Sequence, residues 1–443
     1  MYYFILLFPF IFFVFGGETH YSLGKLVYLF VFVLSSWILL LLKRHYWSSC
    51  FKKPISIMEI MVVGFIGLAA ISALLSEHKL TSFFGSILRY EGLLTIVAYC
   101  SVFLFSYRLI EFQKQTKLVI AFILCAIPIS LYGILQHFRL EPLPRGTFDF
   151  GPSSIGLFGN PNFFGSYLVM VFLMACVVFL SRNRGRLINF YFAAACLIFL
   201  SMIFTSTRSA WLGTFVGVVG LTILVVRKRK ELWGRWGTLL ASLGLIFMIT
   251  ESAGDGGYLN RLLTTIIEPY NIVTEQETGM EGSGRFLIWQ KSLPLVKEYF
   301  WIGSGPDTFK YVYPNQDMES KEVLGEIIID KAHNEYLQIA ITMGVPALLV
   351  YLALVGIILI RAFKAVRVVA EQQKIILYGL ICVIIGYLVQ AFFNISVVTV
   401  APIYWSILGV TFGLSTHYLQ AAKLTGEQKE NLTQVKNQQI KAM

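Results

Sequence analysis

Apolar residues in this chain come in long solid runs rather than at the alternating or helical spacings of a soluble fold. Twelve runs lie near residues 2–16, 26–42, 57–75, 93–107, 118–135, 163–180, 187–204, 211–226, 237–250, 336–360, 375–391 and 398–416. Crossing a hydrocarbon core takes about 20 helical residues. The pattern therefore predicts an all-α polytopic membrane protein with about 12 transmembrane helices. The runs at 93–107 and 237–250 are short enough for tilted or partly re-entrant segments. The first run has no basic stretch before it and no small-residue cleavage site after it, so it reads as a span and not as a removable signal peptide.

The polar connections are short, with one exception. Residues 251–334 are too many for a turn and too few for a large separate domain. The chain thus divides into transmembrane helices 1–9 at 1–250, one long extracytoplasmic loop at 251–334, helices 10–12 at 335–416 and a loose polar tail at 417–443. Within the loop, GSGRFLIWQKSLPLVKEYFWIGSGPDTF reads as a glycine-rich entry, an amphipathic helix from about Arg285 and a GSGPD turn. Phe286, Ile288, Trp289, Leu293 and Val296 recur at helical spacing, which predicts that this helix lies on the membrane surface or caps the bundle.

Composition adds little to this, but charge adds orientation. The 443 residues are 56% hydrophobic and only 14% charged. Short cytoplasmic loops retain Lys and Arg, and here the basic clusters at 43–53, 182–186, 227–235 and 361–367 fall on alternate connections. With the 107–117 loop and the tail, that side carries 23 Lys+Arg against 6 Asp+Glu, and the other side 13 against 19. Both termini are expected in the cytoplasm. The pI near 9.2 follows from this sorting and implies no nucleic-acid partner. Five of the six cysteines fall within apolar runs and Cys50 in a cytoplasmic loop, a placement that suggests neither a disulfide framework nor a zinc site.

Chemistry is expected where the outward connections meet the spans. Arg208, in TSTRSAWLG, runs against the charge sorting and reads equally as an arginine snorkelling to headgroups or as a ligand-binding group. Arg285 opens the loop helix, where the helix dipole disfavours a cation; that cost favours a functional reading. His333 ends the loop at the start of the tenth span, and Asn334 with Gln338 extends a polar strip one turn into it. Such a strip is costly in a membrane helix unless it faces a cavity or a ligand. Arg89 in RYEG, and Asn160 and Asn162 in GNPN, stand on neighbouring outward connections. No Walker A loop, dinucleotide fingerprint, HExxH or GxSxG occurs. Neither a metal nor a cofactor is expected, and a nucleotide-driven pump is disfavoured.

Four motifs occur together: GNPN at 159–162, TRSAWLG at 207–213, GRFLIWQKSLPLVKEYFWIGSGPDTF at 284–309 and AHNEYLQIAITMGVPALL at 332–349. In order, spacing and setting they resemble the O-antigen ligase and polymerase superfamily over roughly residues 60–415. The resemblance implies a metal-independent glycosyltransferase with a GT-C-like membrane fold in a bacterial plasma membrane. Such enzymes move a glycan from an undecaprenyl-diphosphate carrier onto a glycan, lipid or protein acceptor at the outer membrane face. It further implies that Arg208 and Arg285 hold the diphosphate and that His333 activates the acceptor hydroxyl. Asn334, Arg89, Asn160 and Asn162 are counted with them as substrate-binding candidates. The motifs are shared by ligases, chain polymerases and protein O-oligosaccharyltransferases and do not choose among them. A transporter or flippase of a lipid-linked glycan or small anion is the competing reading, and a scaffold subunit of an envelope-assembly complex a third.

Overall fold

The computed structural model describes residues 1–12, 20–42, 55–108, 115–143, 145, 150–181, 185–253, 257–264, 284–317 and 328–441. Cys50, the basic cluster at 43–53, most of the one at 182–186 and much of the long loop lie outside the described residues. Regular structure within them is entirely helical. The helices are α1 (Tyr2–Leu7), α2 (His20–Leu42), α3 (Ile57–Leu75), α4 (Lys79–Phe84), α5 (Leu93–Arg108), α6 (Gln115–His137), α7 (Pro161–Ser181), α8 (Arg186–Phe204), α9 (Arg208–Lys228) and α10 (Trp233–Ala253). After a short helix at 258–264 come α11 (Arg285–Glu298), α12 (Phe309–Val312), α13 (Glu335–Thr342), α14 (Val345–Val366), α15 (Glu371–Phe392) and α16 (Ala401–Lys441).

Among the described residues, nine helices are long and apolar enough to cross a membrane, against the twelve spans expected; the runs at 2–16, 93–107 and 398–416 are not among the nine. In the first run, α1 stops at Leu7 and a 3-10 turn over Phe8–Phe10 follows, with Pro9 withholding the N–H that an α-helix would use. The run at 93–107 is α5, apolar but only 16 residues long. The run at 237–250 belongs to one continuous helix, α10, without re-entrance. The run at 336–360 is broken into α13 and α14 at Gly344, whose φ of 87° suits glycine alone, and Pro346 helps to open the second helix. The polar tail, expected loose, continues α16 to Lys441; its Ala, Gln, Lys and Glu are good helix formers.

The bundle is built around α7, which is buried along nearly its whole length. On one side of it, α9 and α15 cross with backbones almost touching: a Cβ on Gly213 would stand 2.4 Å from the Gly386 carbonyl oxygen. Without a water-driven hydrophobic force between helices in lipid, such small-residue contacts carry much of the packing. Beyond α15, α5, α14 and α16 pack together, with Tyr351, Tyr387 and Tyr404 buried where they meet α15.

These contacts sort the helix ends. One end gathers the finish of α3, the start of α5, the starts of α7 and α9, the finish of α15 and helices α11 to α13. Ser72 and Ser76 at the finish of α3 donate to the Thr342 and Ser304 carbonyls (2.8 and 2.7 Å). At the opposite end, Arg108 closes α5 and grips Glu59 at the start of α3 with two hydrogen bonds (2.8 and 2.6 Å). Glu59 also completes a capping box with Ser56.

Helix α11 caps the first end, as the loop sequence predicts. Its buried face differs from the expected one: Leu287, Ile288, Ser292 and Leu295 are buried while Leu293 is 61% exposed. The helix rests on α13 and on the finish of α15, where the Trp289 ring meets Phe392 and Phe393. Ile288 and Leu295 cluster with Phe309, Tyr313 and Ile341, and that contact selects a stripe rotated from the one its apolar residues suggest.

Candidate active site

His333 occupies the turn by which residues 328–332 enter α13. Its φ is 49°, in the left-handed region that few non-glycine residues adopt. Asn334 follows as the helix N-cap, its Oδ1 accepting the Tyr336 and Leu337 N–H groups (3.0 and 3.1 Å). Ala332, just before the histidine, is fixed on both sides. Its N–H donates to Gln338 Oε1 (2.9 Å), and its carbonyl accepts from Trp289 Nε1 (3.0 Å). The R-x-x-x-W spacing thus has a physical meaning. Trp289 anchors the histidine's backbone, while Arg285, one helical turn away, bears on the imidazole electrostatically.

Four charges dominate at His333. Burial, then Arg285, pulls the imidazole pKa down to about 4; Asp330 opposes them, and Arg89 and Lys331 add to the depression. A ring expected to titrate near neutrality is therefore held neutral well below that range. Its nitrogens make no hydrogen bond among the described residues. Arg285 is the first residue of α11, behind Gly284 at φ 77°, so the dipole-disfavoured cation predicted from the sequence is present.

Arg89 is brought in by a pairing the sequence left open. Its Nε donates to Asp330 Oδ2 (2.6 Å) and its Nη2 to Oδ1 (3.2 Å), a bidentate fork, and its guanidinium lies over the Phe163 ring (5.7 Å). Burial alone would raise the Asp330 carboxyl; Arg89 outweighs it and holds that carboxyl below its ordinary range.

A second, deeper pair locks the same segment. Lys331 Nζ stands 2.7 Å from Asp307 Oδ1, with the two side chains 3% and 1% exposed. Asp307 Oδ2 accepts from the Ser86 N–H (2.6 Å), the Ser86 hydroxyl (3.0 Å) and the Glu91 N–H (3.2 Å). One carboxylate in the GSGPD turn thereby joins the loop between α4 and α5 to the residues that carry His333. Behind it lies a cavity of about 70 Å³ lined by Glu91, Asp307, Lys331, Glu335 and Gln338, among others. Gln338 thus fulfils the expectation that the polar strip faces a cavity. Glu91, bonded by the Tyr99 hydroxyl (2.5 Å), has its pKa raised to about 7, first by burial.

The remaining candidates divide. Asn160 Oδ1 accepts the Asn162 N–H (2.8 Å) at the start of α7, and the Asn162 carbonyl accepts from Asn394 Nδ2 (3.2 Å); Asn160 also lines a cavity together with Arg89. Arg208 opens α9 at the same end of the bundle, its Nη1 donating to Thr264 Oγ1 (3.2 Å). It is not among the strongest charges on His333. Among the described residues five non-glycine positions have positive φ, all at this end: Tyr90 beside Arg89, Arg139 just after α6, Ser206 two before Arg208, Asp307, and His333 itself. Backbone strain of this kind collects at functional sites. Asp307, Lys331 and Glu91 were missed as site residues; the only sequence signal was charge within otherwise apolar or glycine-rich stretches.

Fold and site together define a multi-pass helical membrane protein with arginines, a lysine, buried carboxylates and a strained neutral histidine gathered at one end of its bundle. Residues 169–352 match the family model described as O-antigen ligase, and this match supports the O-antigen ligase and polymerase superfamily for the chain. The matched stretch runs from α7 into α14 and contains Arg208, Arg285 and His333. It also supports a membrane glycan-transfer function and a glycosyltransferase-type enzyme. No curated protein matches the chain.

Proposed function

We propose that the protein transfers or polymerises a glycan from an undecaprenyl-diphosphate carrier onto an acceptor hydroxyl at the outer face of a bacterial inner membrane. The observation that carries this reading is His333: a neutral imidazole without a hydrogen bond among the described residues, strained at φ 49°, with Arg285 and Arg89 acting on it. A neutral histidine can accept a proton, and fixed guanidinium groups stabilise charge that develops on a leaving diphosphate. In the reaction the acceptor oxygen attacks the anomeric carbon and gives its proton to His333. The bond from that carbon to the diphosphate oxygen breaks with its electron pair. Arg285 and Arg208 take up the charge that accumulates on the leaving group. One displacement without a covalent glycosyl-enzyme inverts the anomeric centre. The activated donor supplies the free energy, so nucleotide and metal are not required.

The electrostatics of the site favour an ordered reaction. Arg285 and its neighbours depress the base, and the charge of a diphosphate would offset theirs and let the imidazole pKa rise toward the range where proton transfer is efficient. The test is transfer by the purified full-length protein from a lipid-diphosphate glycan, with chelator present and nucleotide absent, comparing His333→Ala with the parent. General-base removal typically costs about 10²–10⁴-fold. Equal turnover in the variant would remove His333 from the mechanism.

A further inference from the structure

Beside Arg89 lies a cavity of about 250 Å³ that His333 does not line. Tyr21 of α2, Phe158 and Phe163 provide rings in its wall, and Arg89, Asn160 and Thr399 its polar groups. We propose that this cavity is a subsite for one uncharged pyranose ring, belonging to the donor glycan or to the acceptor; the proposal rests on the glycan-transfer reading above. Ligand sites are mostly apolar with a few placed polar groups, and a sugar ring matches both: C–H faces for aromatic rings and hydroxyls for the polar groups. The volume lies below the usual 300–1,000 Å³ range for drug-sized ligands, which suits a single small ring.

The polar groups have hydrogen-bonding capacity to spare. Thr399 is 2% exposed, and its hydroxyl has no partner among the described residues; a buried polar atom of that kind needs an explanation. Asn160 spends its Oδ1 on the helix cap, leaving its Nδ2 without a hydrogen bond among those residues. Arg89 binds Asp330 through Nε and Nη2, leaving Nη1 to donate. The same pairing argues against an anion. Asp330 neutralises Arg89, and the nearby buried Lys25 is committed to the Ile11 and Leu157 carbonyls (2.9 and 2.5 Å). A phosphate would meet no uncompensated cation in this wall, whereas a neutral ring loses nothing by that balance.

The experiment uses the full-length protein in detergent micelles and saturation-transfer NMR. The probes are glucose, galactose, rhamnose, N-acetylglucosamine and N-acetylgalactosamine, with inorganic pyrophosphate as the anion control. At least one sugar is expected to bind the parent and the His333→Ala variant alike. Thr399→Val is isosteric and removes only the hydroxyl; Asn160→Asp keeps the capping oxygen and removes the amide donor. Each should weaken that sugar about tenfold, the loss of one or two hydrogen bonds, with the melting temperature of Thr399→Val unchanged or raised. In the transfer assay the same variants raise KM for whichever substrate supplies the ring, the donor in one arm and the acceptor in the other. No sugar binding to the parent overturns the proposal. So does sugar binding untouched by both variants, or pyrophosphate displacing the sugar from this cavity. Sugar binding that responds to the variants in a protein without transfer activity upholds the subsite and refutes the transfer reading instead.

Discussion

If Arg285 depresses the His333 base, removing its charge must raise the imidazole pKa, and the size of that rise can be worked out. In the folded protein burial is the largest cause of the depression and Arg285 the next, bringing the pKa from 6.5 to about 4. At an effective dielectric near 20 a nearby unit charge is worth on the order of 2 kcal/mol, or ~1.5 pH units. Arg285→Gln should therefore carry the His333 midpoint from about 4 to ~5.5. The sign follows from the chemistry: only the neutral ring accepts a proton, so activity is present above the pKa and lost below it. The acid limb of kcat/KM, which reports the free enzyme, then lies near pH 4 in the parent and ~1.5 units higher in the variant. The limb of kcat, which reports the donor complex, lies above that of kcat/KM in the parent, because the bound diphosphate does what the substitution does. A readout independent of catalysis is the rate at which diethyl pyrocarbonate modifies His333 as pH is varied, followed by peptide mass spectrometry, since only neutral imidazole reacts. Midpoints near 6.5 in both proteins, or an unmoved midpoint in Arg285→Gln, would refute the electrostatic account of the site.

The buried Lys331–Asp307 pair makes a different forecast: Lys331→Met alone should cost about 3–5 kcal/mol by stranding a carboxylate, and the double variant Lys331→Met, Asp307→Asn markedly less, as read by denaturant unfolding in micelles. Glu91 gives a stability signal with pH. Its folded pKa of about 7 against an ordinary 4.5 means that the unfolded chain ionises first, so stability falls as pH rises between those values, by up to ~3 kcal/mol. Glu91→Gln should flatten that slope, and an unchanged slope would mean that another group causes it. Arg208→Lys and Arg285→Lys each keep the charge but lose the planar fork; a loss of about 2–4 kcal/mol of transition-state stabilisation is expected by analogy with removing an electrostatic donor. Normal turnover in Arg208→Lys would instead favour a headgroup-snorkelling arginine.

The membrane class was legible because apolar runs are a compositional signal that needs no partner to read. Helix breaks were less so. The run at 336–360 is uniformly apolar across Met343 and Gly344, yet the structure divides it there because the YFWIG turn inserts against the break, Val345 N–H donating to the Phe300 carbonyl (2.7 Å). That contact spans 45 residues and leaves no local trace. The same holds at the site. His333 and Arg285 could be singled out by position alone, one at a loop–helix junction and the other at an electrostatically disfavoured helix start. Lys331 and Asp307 could not, because each looks like an ordinary loop charge until the fold buries both together. Helix α11 shows the limit of periodicity: its apolar positions predicted a helix correctly, but the face it buries was set by Phe309, Tyr313 and Ile341, with which Ile288 and Leu295 cluster.

The placement of cost in this molecule also argues for function. Membrane helices tolerate few charges, and those kept away from water need a partner or a reason. Here Glu59 and Arg108, at the end remote from His333, form a simple clamp that joins two helix termini and accounts for itself structurally. Around His333 the pairs are not closed in that way. Arg89 is neutralised but keeps an Nη1 donor, Asp307 ties the α4–α5 loop to Lys331 at a φ of 62°, and the histidine is both strained and, among the described residues, without a hydrogen bond. Stability alone would favour relieving each of these, by glycine at the positive-φ positions and apolar residues in place of the buried pair. Under the proposed reaction the site receives a diphosphate and releases it, and so needs cations and a base whose charge is completed only by the substrate. That requirement explains why the unrelieved groups lie together at the His333 end of the bundle.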